Sequence, residues 1–289
     1  MRLKDIEIIF HKELGAQYGK EEVNIFFNWA IEHYLKLKPL DLIMYPEYTV
    51  AKEEEQLLFE ALSQLKLHKP IQYILGLTEF YGLPFKVNQH TLIPRPETEE
   101  LVAKIISDHQ DKENVGKLKI LDIGTGSGSI AISLAKHFSN AEVAAIDISE
   151  EAISTATQNA KLNDVNVSFS CIDILTPEGI GFDQSPFDII VSNPPYVRES
   201  EKREIRPNVL EHEPHQALFV SDEDPLVFYL TICEFAIDHL KPRTGLLYFE
   251  INEYLGKETV DLVKSFPFDH VELIQDMTGK DRMLKALRS

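Results

Sequence analysis

Apolar residues recur at helical spacing from the start of the chain to about position 70. Val23, Phe26, Phe27, Ala30, Ile31, Tyr34 and Leu35 fall at i, i+3, i+4, i+7, i+8, i+11 and i+12, a wide stripe that predicts a core-facing helix. A second stripe, Leu58, Ala61, Leu62 and Leu65, follows Glu53-Glu54-Glu55. Those acids suit the positive end of a helix macrodipole, or are simply solvated. No glycine lies between Gly19 and Gly76, and Pro39 and Pro46 punctuate the stripes, so a small bundle of about four helices fits. Trp29 and the other N-terminal aromatics are expected in its core, with any exposed remainder a candidate partner surface. From Ile71 to Val87 aromatic and β-branched residues mix with Gly76, Gly82 and Pro84, which predicts short strands and a turn, a hairpin linker. It closes on Leu92-Ile-Pro-Arg-Pro-Glu-Thr-Glu, where Pro94 and Pro96 hold the chain extended around Arg95. A helix with Leu101, Val102, Ile105 and Ile106 on one face follows.

Beyond Lys117 the pattern alternates. Strands are predicted at Leu118–Ile123, Glu142–Asp147, Val165–Ile172, Phe187–Ser192 and Gly245–Ile251, and near His270–Gln275 and Met283–Leu287. Helices are predicted through Ile130, Leu134 and Phe138, through Ala152, Ile153, Ala156 and Ala160, and over Leu226–Leu240 and Lys257–Ser265. Such alternation with short links is the signature of an α/β fold, a mostly parallel sheet covered on both faces. The last two strands, joined without a helix, predict an antiparallel terminal hairpin.

Composition narrows the partners. With 29 Lys and Arg against 47 Asp and Glu, the formal net charge is −18, which repels phosphate backbones and argues against a nucleic-acid-gripping face. Two cysteines, Cys171 and Cys233, supply neither a disulfide framework nor a four-ligand zinc site, so no metal is expected. The N-terminus lacks the apolar core of a signal peptide, and Leu226–Leu240 carries Glu234 and Asp238 and is too short to span a bilayer. A soluble cytoplasmic protein without membrane partners is the expectation.

The chemistry gathers at strand ends. Asp122-Ile-Gly124-Thr-Gly126-Ser-Gly128 leaves one strand and opens a helix. Glycines there let the backbone approach a ligand and expose amide donors, at the sheet edge where open α/β folds bind ligands. The next strand ends in Asp147, a carboxylate able to accept both hydroxyls of a ribose, and the one after ends in Asp173-Ile174, placed to read an adenine. An adenosine-containing cofactor explains all three. Gly126-Ser-Gly128-Ser-Ile-Ala131 also fits the G-x-G-x-x-A dinucleotide fingerprint, so the glycines alone leave NAD open. The register from Gly124, with Asp122 two residues before, instead resembles the first motif of S-adenosylmethionine-dependent methyltransferases. A ligand-free tight turn would explain a lone glycine pair but not the two downstream acids.

Asn193-Pro194-Pro195-Tyr196 follows the Phe187–Ser192 strand. Two prolines offer carbonyl acceptors without competing backbone donors, the Asn oxygen adds another acceptor, and the Tyr ring adds a flat wall. The slot suits a planar –NH2: Asn193 and the Pro194 carbonyl each take one N–H while Tyr196 packs on the plane. Such a nitrogen is a poor nucleophile because its lone pair is delocalised, and holding both N–H groups raises its electron density and aims it at an electrophile. Positioning and desolvation supply most of the gain. A proline-rich strand stop explains Pro-Pro but leaves the Asn and Tyr idle.

Together these segments, with Pro-Ile-Gln-Tyr-Ile-Leu-Gly, Glu79-Phe80 and Glu213-Pro-His-Gln-Ala-Leu, resemble the HemK-type release-factor glutamine N5-methyltransferases over nearly the whole chain. The resemblance implies a class I S-adenosylmethionine-dependent methyltransferase fold, Rossmann-like, with a seven-stranded mixed sheet of order 3-2-1-4-5-7-6 and an antiparallel seventh strand. It implies an N-terminal helical bundle over residues 1–72 that helps hold the release factor, a hairpin linker over 73–95 and a methyltransferase domain over 96–289. The implied reaction moves a methyl group from S-adenosylmethionine, leaving S-adenosylhomocysteine, to the Gln side-chain amide of the Gly-Gly-Gln motif in class 1 peptide chain release factors. Carried over by position, Asp122, Gly124, Thr125, Gly126, Ser127, Gly128, Asp147, Ile148, Asp173, Ile174 and Asn193 bind the cofactor. Asn193, Pro194, Pro195 and Tyr196 bind the target amide, with Asn193, Pro194 and Tyr196 catalytic. One departure is visible: Ile174 stands where a relative places an aromatic beside adenine. A monomer acting on protein, without direct nucleic-acid binding, is expected.

Other residues carry less. Pro214 separates His212 from His215 and opposes a helical metal pair. Arg95 has two readings, a contact to the cofactor carboxylate or the acidic side of the cleft, and a structural salt bridge. Arg198 to Glu204 reads as a solvated loop over the pocket, a candidate lid. Competing functions are a DNA or RNA amine methyltransferase, disfavoured by the charge and the lack of a basic stripe, and a non-catalytic adenosine-binding module on the translation machinery. A dehydrogenase leaves the Asn-Pro-Pro-Tyr segment unexplained.

Overall fold

The computed structural model describes residues 1–110, 117–176 and 186–289. Its contacts divide the chain into two compact units, Met1–Gly76 with Arg206–His212, and Leu77–Ile205 with Glu213–Ser289.

The first unit is helical: α1 (Leu3–Leu35), α2 (Pro39–Met44), α3 (Lys52–Leu65) and α4 (Ile71–Leu75). Gly19, at φ 78° and ψ 166°, breaks α1 into two arms. Phe10 and Phe27 meet edge-to-face across that break with ring centroids 5.1 Å apart. The two predicted stripes form the core, with Leu58, Ala61, Leu62 and Leu65 all buried and only Tyr34 of the first stripe half-buried. Trp29 lies off that stripe and is 40% exposed, against the expectation that it is core. Ile71–Leu75 is a helix and not a strand. Pro70 starts it, Gly76 ends it at φ 68°, and Ile71 packs into the helical core. The later segment Arg206–His212 belongs to this unit: Arg206 pairs with Glu22, and His212 Nε2 donates to the Leu67 carbonyl at 2.8 Å. A reading along the chain could not assign it there, because its partners lie far away in sequence.

The second unit opens with a hairpin, β1 (Leu77–Phe80) and β2 (Leu83–Lys86), then α5 (Pro96–His109), whose first residue is a proline and whose N-cap Arg95 is extended. There follow β3 (Lys119–Ile123), α6 (Ser129–His137), β4 (Glu142–Asp147), α7 (Glu150–Leu162), β5 (Ser168–Cys171) and β6 (Ile189–Ser192). The chain continues through α8 (Val227–His239), β7 (Leu246–Glu250), α9 (Gly256–Lys264), β8 (Phe268–Gln275) and β9 (Asp281–Arg288). Seven strands form one sheet in the order β5-β4-β3-β6-β7-β9-β8. Neighbours from β5 through β7 are parallel, and β9 runs antiparallel to both β7 and β8. Numbered within the sheet, that is 3-2-1-4-5-7-6 with an antiparallel seventh strand, the class I methyltransferase arrangement. Four strands are shorter than the apolar pattern suggested, those expected at Leu118–Ile123, Val165–Ile172, Phe187–Ser192 and Gly245–Ile251. Val165 instead closes α7 through the Ala160 carbonyl, and Phe187 only bridges to Leu240.

Side-chain alternation along the buried strands builds two apolar layers. Ile120, Ile189, Val191 and Tyr248 face one layer with α5 and α6, while Leu121, Ile123, Ile190, Leu247 and Phe249 face the other with α8 and α9. No helix among the described residues is long and apolar enough to cross a membrane.

Asp122 interrupts this apolar row and is fully buried. Its Oδ2 accepts from Thr125 Oγ1 at 2.6 Å and from the Ala131 amide at 3.2 Å, stapling strand, turn and helix together. Gly128 completes the turn at φ 84°, where an added Cβ would stand 2.8 Å from Ile132 Cδ1 and 3.1 Å from Ala156 Cβ. Burial pushes the Asp122 carboxyl up from its ordinary 3.8 to about 7, against the pull of the Thr125 and Ala131 hydrogen bonds. A raised native value favours the protonated form, so this stabilisation is complete below the ordinary value and is lost as pH rises through the native one. Asp122→Asn removes the titration. The stability of the variant relative to the parent should therefore climb between about pH 4 and 7, by at most about 1.4 kcal/mol per pH unit, and level off above. Denaturant unfolding of both proteins across that range checks it, and a constant difference would refute the assignment.

Candidate active site

Parallel pairing sets Ile123 level with Ile146 on one side and with Ser192 on the other. Gly124, Asp147 and Asn193, each the next residue, therefore stand side by side at the carboxyl edge of the sheet. The tips are tied to one another. Gly124 and Thr125 amides donate to the Ile146 carbonyl at 2.9 and 3.0 Å, and Ser192 Oγ donates to the Ile123 carbonyl at 2.7 Å. An ideal Cβ on Gly124 would lie 3.9 Å from the Asn193 carbonyl oxygen, so the glycine turn and the Asn-Pro-Pro-Tyr segment are neighbours.

A cavity of about 390 Å³ opens over this edge, in the range of small-molecule sites. Gly124, Gly126, Asp147, Ile148, Asp173 and Ile174 line it, and so do Asn193, Pro194 and Pro195. Thus most of the cofactor-side residues expected from the sequence share one cavity with the amide-side ones. Asp122, Thr125, Ser127 and Gly128 do not line it: they build the turn from behind. Tyr196 does not line it either. Its ring packs against the apolar layer under α8, and its hydroxyl donates to Glu250 Oε1 at 2.9 Å.

The donors and acceptors present fit an adenosyl cofactor. Gly124 and Gly126 have φ 75° and 56°, and a Cβ on Gly126 would meet nothing within 4 Å, so the backbone there can come close to a ligand. Asp147 serves the loop as well as any ligand: Oδ2 accepts from the Gly126 amide at 2.8 Å and Oδ1 from the Ser149 amide at 3.0 Å. Burial pushes its carboxyl up, and those amides oppose the shift. Asp173 Oδ1 accepts from the Leu175 amide at 2.9 Å, turning the chain so that buried Ile174 faces the cavity beside Ile172 and Phe228. This apolar wall suits a flat heterocycle without an aromatic partner. Among the described residues no three His, Cys, Asp or Glu side chains gather closely enough to hold a metal ion.

Behind Asn193 stands a pair that sequence reasoning did not single out. Asn193 Nδ2 donates to Thr98 Oγ1 at 3.2 Å, and Thr98 Oγ1 donates to Glu250 Oε2 at 2.6 Å. Glu250 is 1% exposed, and its carbonyl accepts from Tyr229 at 3.1 Å. Burial pushes its carboxyl up, opposed by the Thr98 and Tyr196 hydroxyls and the charge of Arg282. The signal available in the sequence was Glu250 itself, a charge at the tip of a continuous apolar strand. His90, Leu92, Pro214 and Gln216 also line the cavity, the first two from the segment after the hairpin.

Arg95 is resolved as a structural salt bridge: Nη2 meets buried Glu213 Oε1 at 2.6 Å, while the Ile93 amide donates to Oε2 at 3.2 Å. The candidate lid is tethered. Glu199–Glu204 forms a short 3-10 helix, Arg198 pairs with Glu201 at 3.0 Å, and Asn252 Nδ2 reaches both Glu201 and the Tyr196 carbonyl.

Comparison with known proteins gives the same answer from a separate direction. Residues 114–285 match the family described as methyltransferase domain, and residues 12–76 match the PrmC N-terminal domain. The release factor glutamine methyltransferase of Flavobacterium psychrophilum is 50% identical over 99% of this chain and 99% of its own length. That of Bacteroides thetaiotaomicron is 44% identical over 98% of this chain and 99% of its own. A methyltransferase crystal structure from Pyrococcus furiosus, 20% identical, covers 83% of this chain and all of its own with a TM-score of 0.50, a likeness of fold alone. By sequence over its whole length, the chain belongs to the release factor glutamine methyltransferase family.

Proposed function

We propose that this protein methylates the side-chain amide nitrogen of the Gln in the Gly-Gly-Gln motif of class 1 peptide chain release factors, using S-adenosylmethionine. The observation that carries the reading is the register row of Ile123, Ile146 and Ser192, which sets the residues after them, Gly124, Asp147 and Asn193, side by side where an adenosyl group and an amide can meet. S-adenosylmethionine supplies, when bound, an electrophilic methyl group on a sulfonium. Gly124 and Gly126 let the backbone approach it, Asp147 accepts ribose hydroxyls, and Ile148, Asp173 and Ile174 form the adenine side. Asp122, Thr125, Ser127 and Gly128 keep the turn in shape. Asn193 Oδ1 and the Pro194 carbonyl accept the two amide N–H groups, which orients the nitrogen toward the cofactor side and holds its plane beside Pro195. Orientation and exclusion of water supply the rate, so no strong base is needed.

The helical N-terminal region, expected over residues 1–72, holds the release factor, and the exposed Leu40, Ile43, Met44 and Tyr45 give it an apolar surface for this. The protein acts as a cytoplasmic monomer on a protein and not on nucleic acid, and a net charge of −18 supports the last point.

Incubation with methyl-labelled cofactor and either intact release factor or its Gln→Ala form at the Gly-Gly-Gln motif tests the reading. Label should enter only the intact factor, and equal labelling of both would overturn it. Asn193→Ala should bind the cofactor as before while turnover falls by roughly 10²–10³, the size expected for losing one transition-state hydrogen bond. Unchanged turnover would remove Asn193 from the chemistry. Asp147→Ala should weaken cofactor binding by roughly ten- to a hundredfold, as for a lost hydrogen bond to a charged group. Calorimetry finding the parent affinity would exclude the ribose contact.

A further inference from the structure

Thr98 and Glu250 reach the reacting amide only through Asn193, and their hydrogen bonds have a definite direction. A carboxylate accepts and does not donate, so Glu250 takes the proton of Thr98 on Oε2 at 2.6 Å and that of Tyr196 on Oε1 at 2.9 Å. A threonine has one hydroxyl proton. With that proton committed to Glu250, Thr98 Oγ1 can only accept from Asn193, and Nδ2 is the only donor the Asn193 side chain has. The Asn193 amide is thereby turned with its oxygen away from Thr98. The hydroxyl of Tyr196 is likewise spent on Glu250 and cannot donate into the slot.

We propose that Glu250, acting through Thr98, is a positioning and specificity device that fixes the polarity of Asn193 and turns its oxygen to the substrate beside the Pro194 carbonyl. The proposal rests on the amide-methylation reading and deepens it, because two acceptors side by side distinguish Gln from Glu. A side-chain amide brings two N–H donors to it. A carboxylate brings none and would face the lone pairs of Asn193 Oδ1 and the Pro194 carbonyl, and a buried site made for N–H groups strongly rejects a ligand that lacks them. The pair also suits its burial: Thr98 is 3% exposed and Glu250 1%, so water does not compete for these bonds. The two come from different elements, Thr98 from the first turn of α5 and Glu250 from the end of β7. Neither lines the cavity.

Thr98→Val keeps the shape and removes the hydroxyl, whereas Thr98→Ser keeps the hydroxyl. In steady-state methylation of release factor, Thr98→Val should lower kcat about tenfold, the equivalent of one hydrogen bond, with the KM for S-adenosylmethionine within about twofold of the parent. Thr98→Ser should recover most of the loss. Glu250→Gln places a donor where two hydroxyls now give their protons, so one hydroxyl must reverse, and kcat should fall at least as far. Independently of turnover, NMR should show the Asn193 side-chain NH2 protected from hydrogen exchange in the parent and in Thr98→Ser, and exchanging about tenfold faster in Thr98→Val. Parent-like kcat and exchange in Thr98→Val would overturn the proposal. So would a KM for the cofactor rising in step with the fall in kcat, or failure of Thr98→Ser to recover. A parent protein that leaves release factor unlabelled yet protects the Asn193 amide through Thr98 would overturn the methylation reading and leave the Thr98–Glu250 relay standing.

Discussion

Parallel hydrogen bonding of β3 to both of its neighbours is the constraint on which the site depends. It holds Ile123, Ile146 and Ser192 in one row, and the three residues that follow them stand at a common level at the carboxyl edge. A slip of one residue on either side would turn every side chain of the slipped strand to the opposite apolar layer. Burial on both faces forbids that, because Ile120 and Leu121, or Ile189 and Ile190, are each packed into different layers. The hydrophobic core therefore does more than stabilise the unit: it sets how far the glycine turn stands from the amide slot.

Within that frame, buried carboxylates fix the local chemistry. Asp122 shapes the turn, Asp147 holds the Gly126 and Ser149 amides, and Glu250 orders the hydroxyls behind Asn193. Each accepts hydrogen bonds from donors of the chain, which is how such groups are tolerated in an apolar interior, although Asp122 takes them on Oδ2 alone and its buried Oδ1 has no partner. All three are pushed upward by desolvation, and all three are opposed by those same donors. The protein's surplus of acid thus has two components, a solvated surface and a few interior carboxylates that organise the carboxyl edge of the sheet.

Much of the site was legible before any coordinates, because glycines at a strand end, acids at the next two ends and Asn-Pro-Pro-Tyr at a fourth are local patterns. Of the residues proposed for the cofactor and the amide that line one cavity, all but Ile148 were named from such patterns. The errors were also local in origin. Ile71–Leu75 has the β-branched and aromatic make-up of a strand, but Pro70 and Gly76 cap it as a single helical turn against the bundle. Trp29 was placed in the core by residue type, although its position on the helix is off the apolar stripe and it stays 40% exposed. Tyr196 was assigned to the slot wall by proximity along the chain, whereas its hydroxyl is drawn to Glu250 and its ring sits in the layer beneath.

The order of elements, the seven strands and the residues at the strand tips follow from periodicity and turn chemistry, which act over a few neighbours and are written in the sequence itself. Whether Arg95 met a ligand or a buried partner, where Arg206–His212 belonged, and which groups stand behind Asn193 were decided only by tertiary structure. Glu213, Leu67, Thr98 and Glu250 are each brought to their partners across long stretches of chain. Hydrogen-bond direction is a property of such assembled neighbours: Asn193 is the same residue in any context, but the face it presents is set by the single proton that Thr98 gives to Glu250.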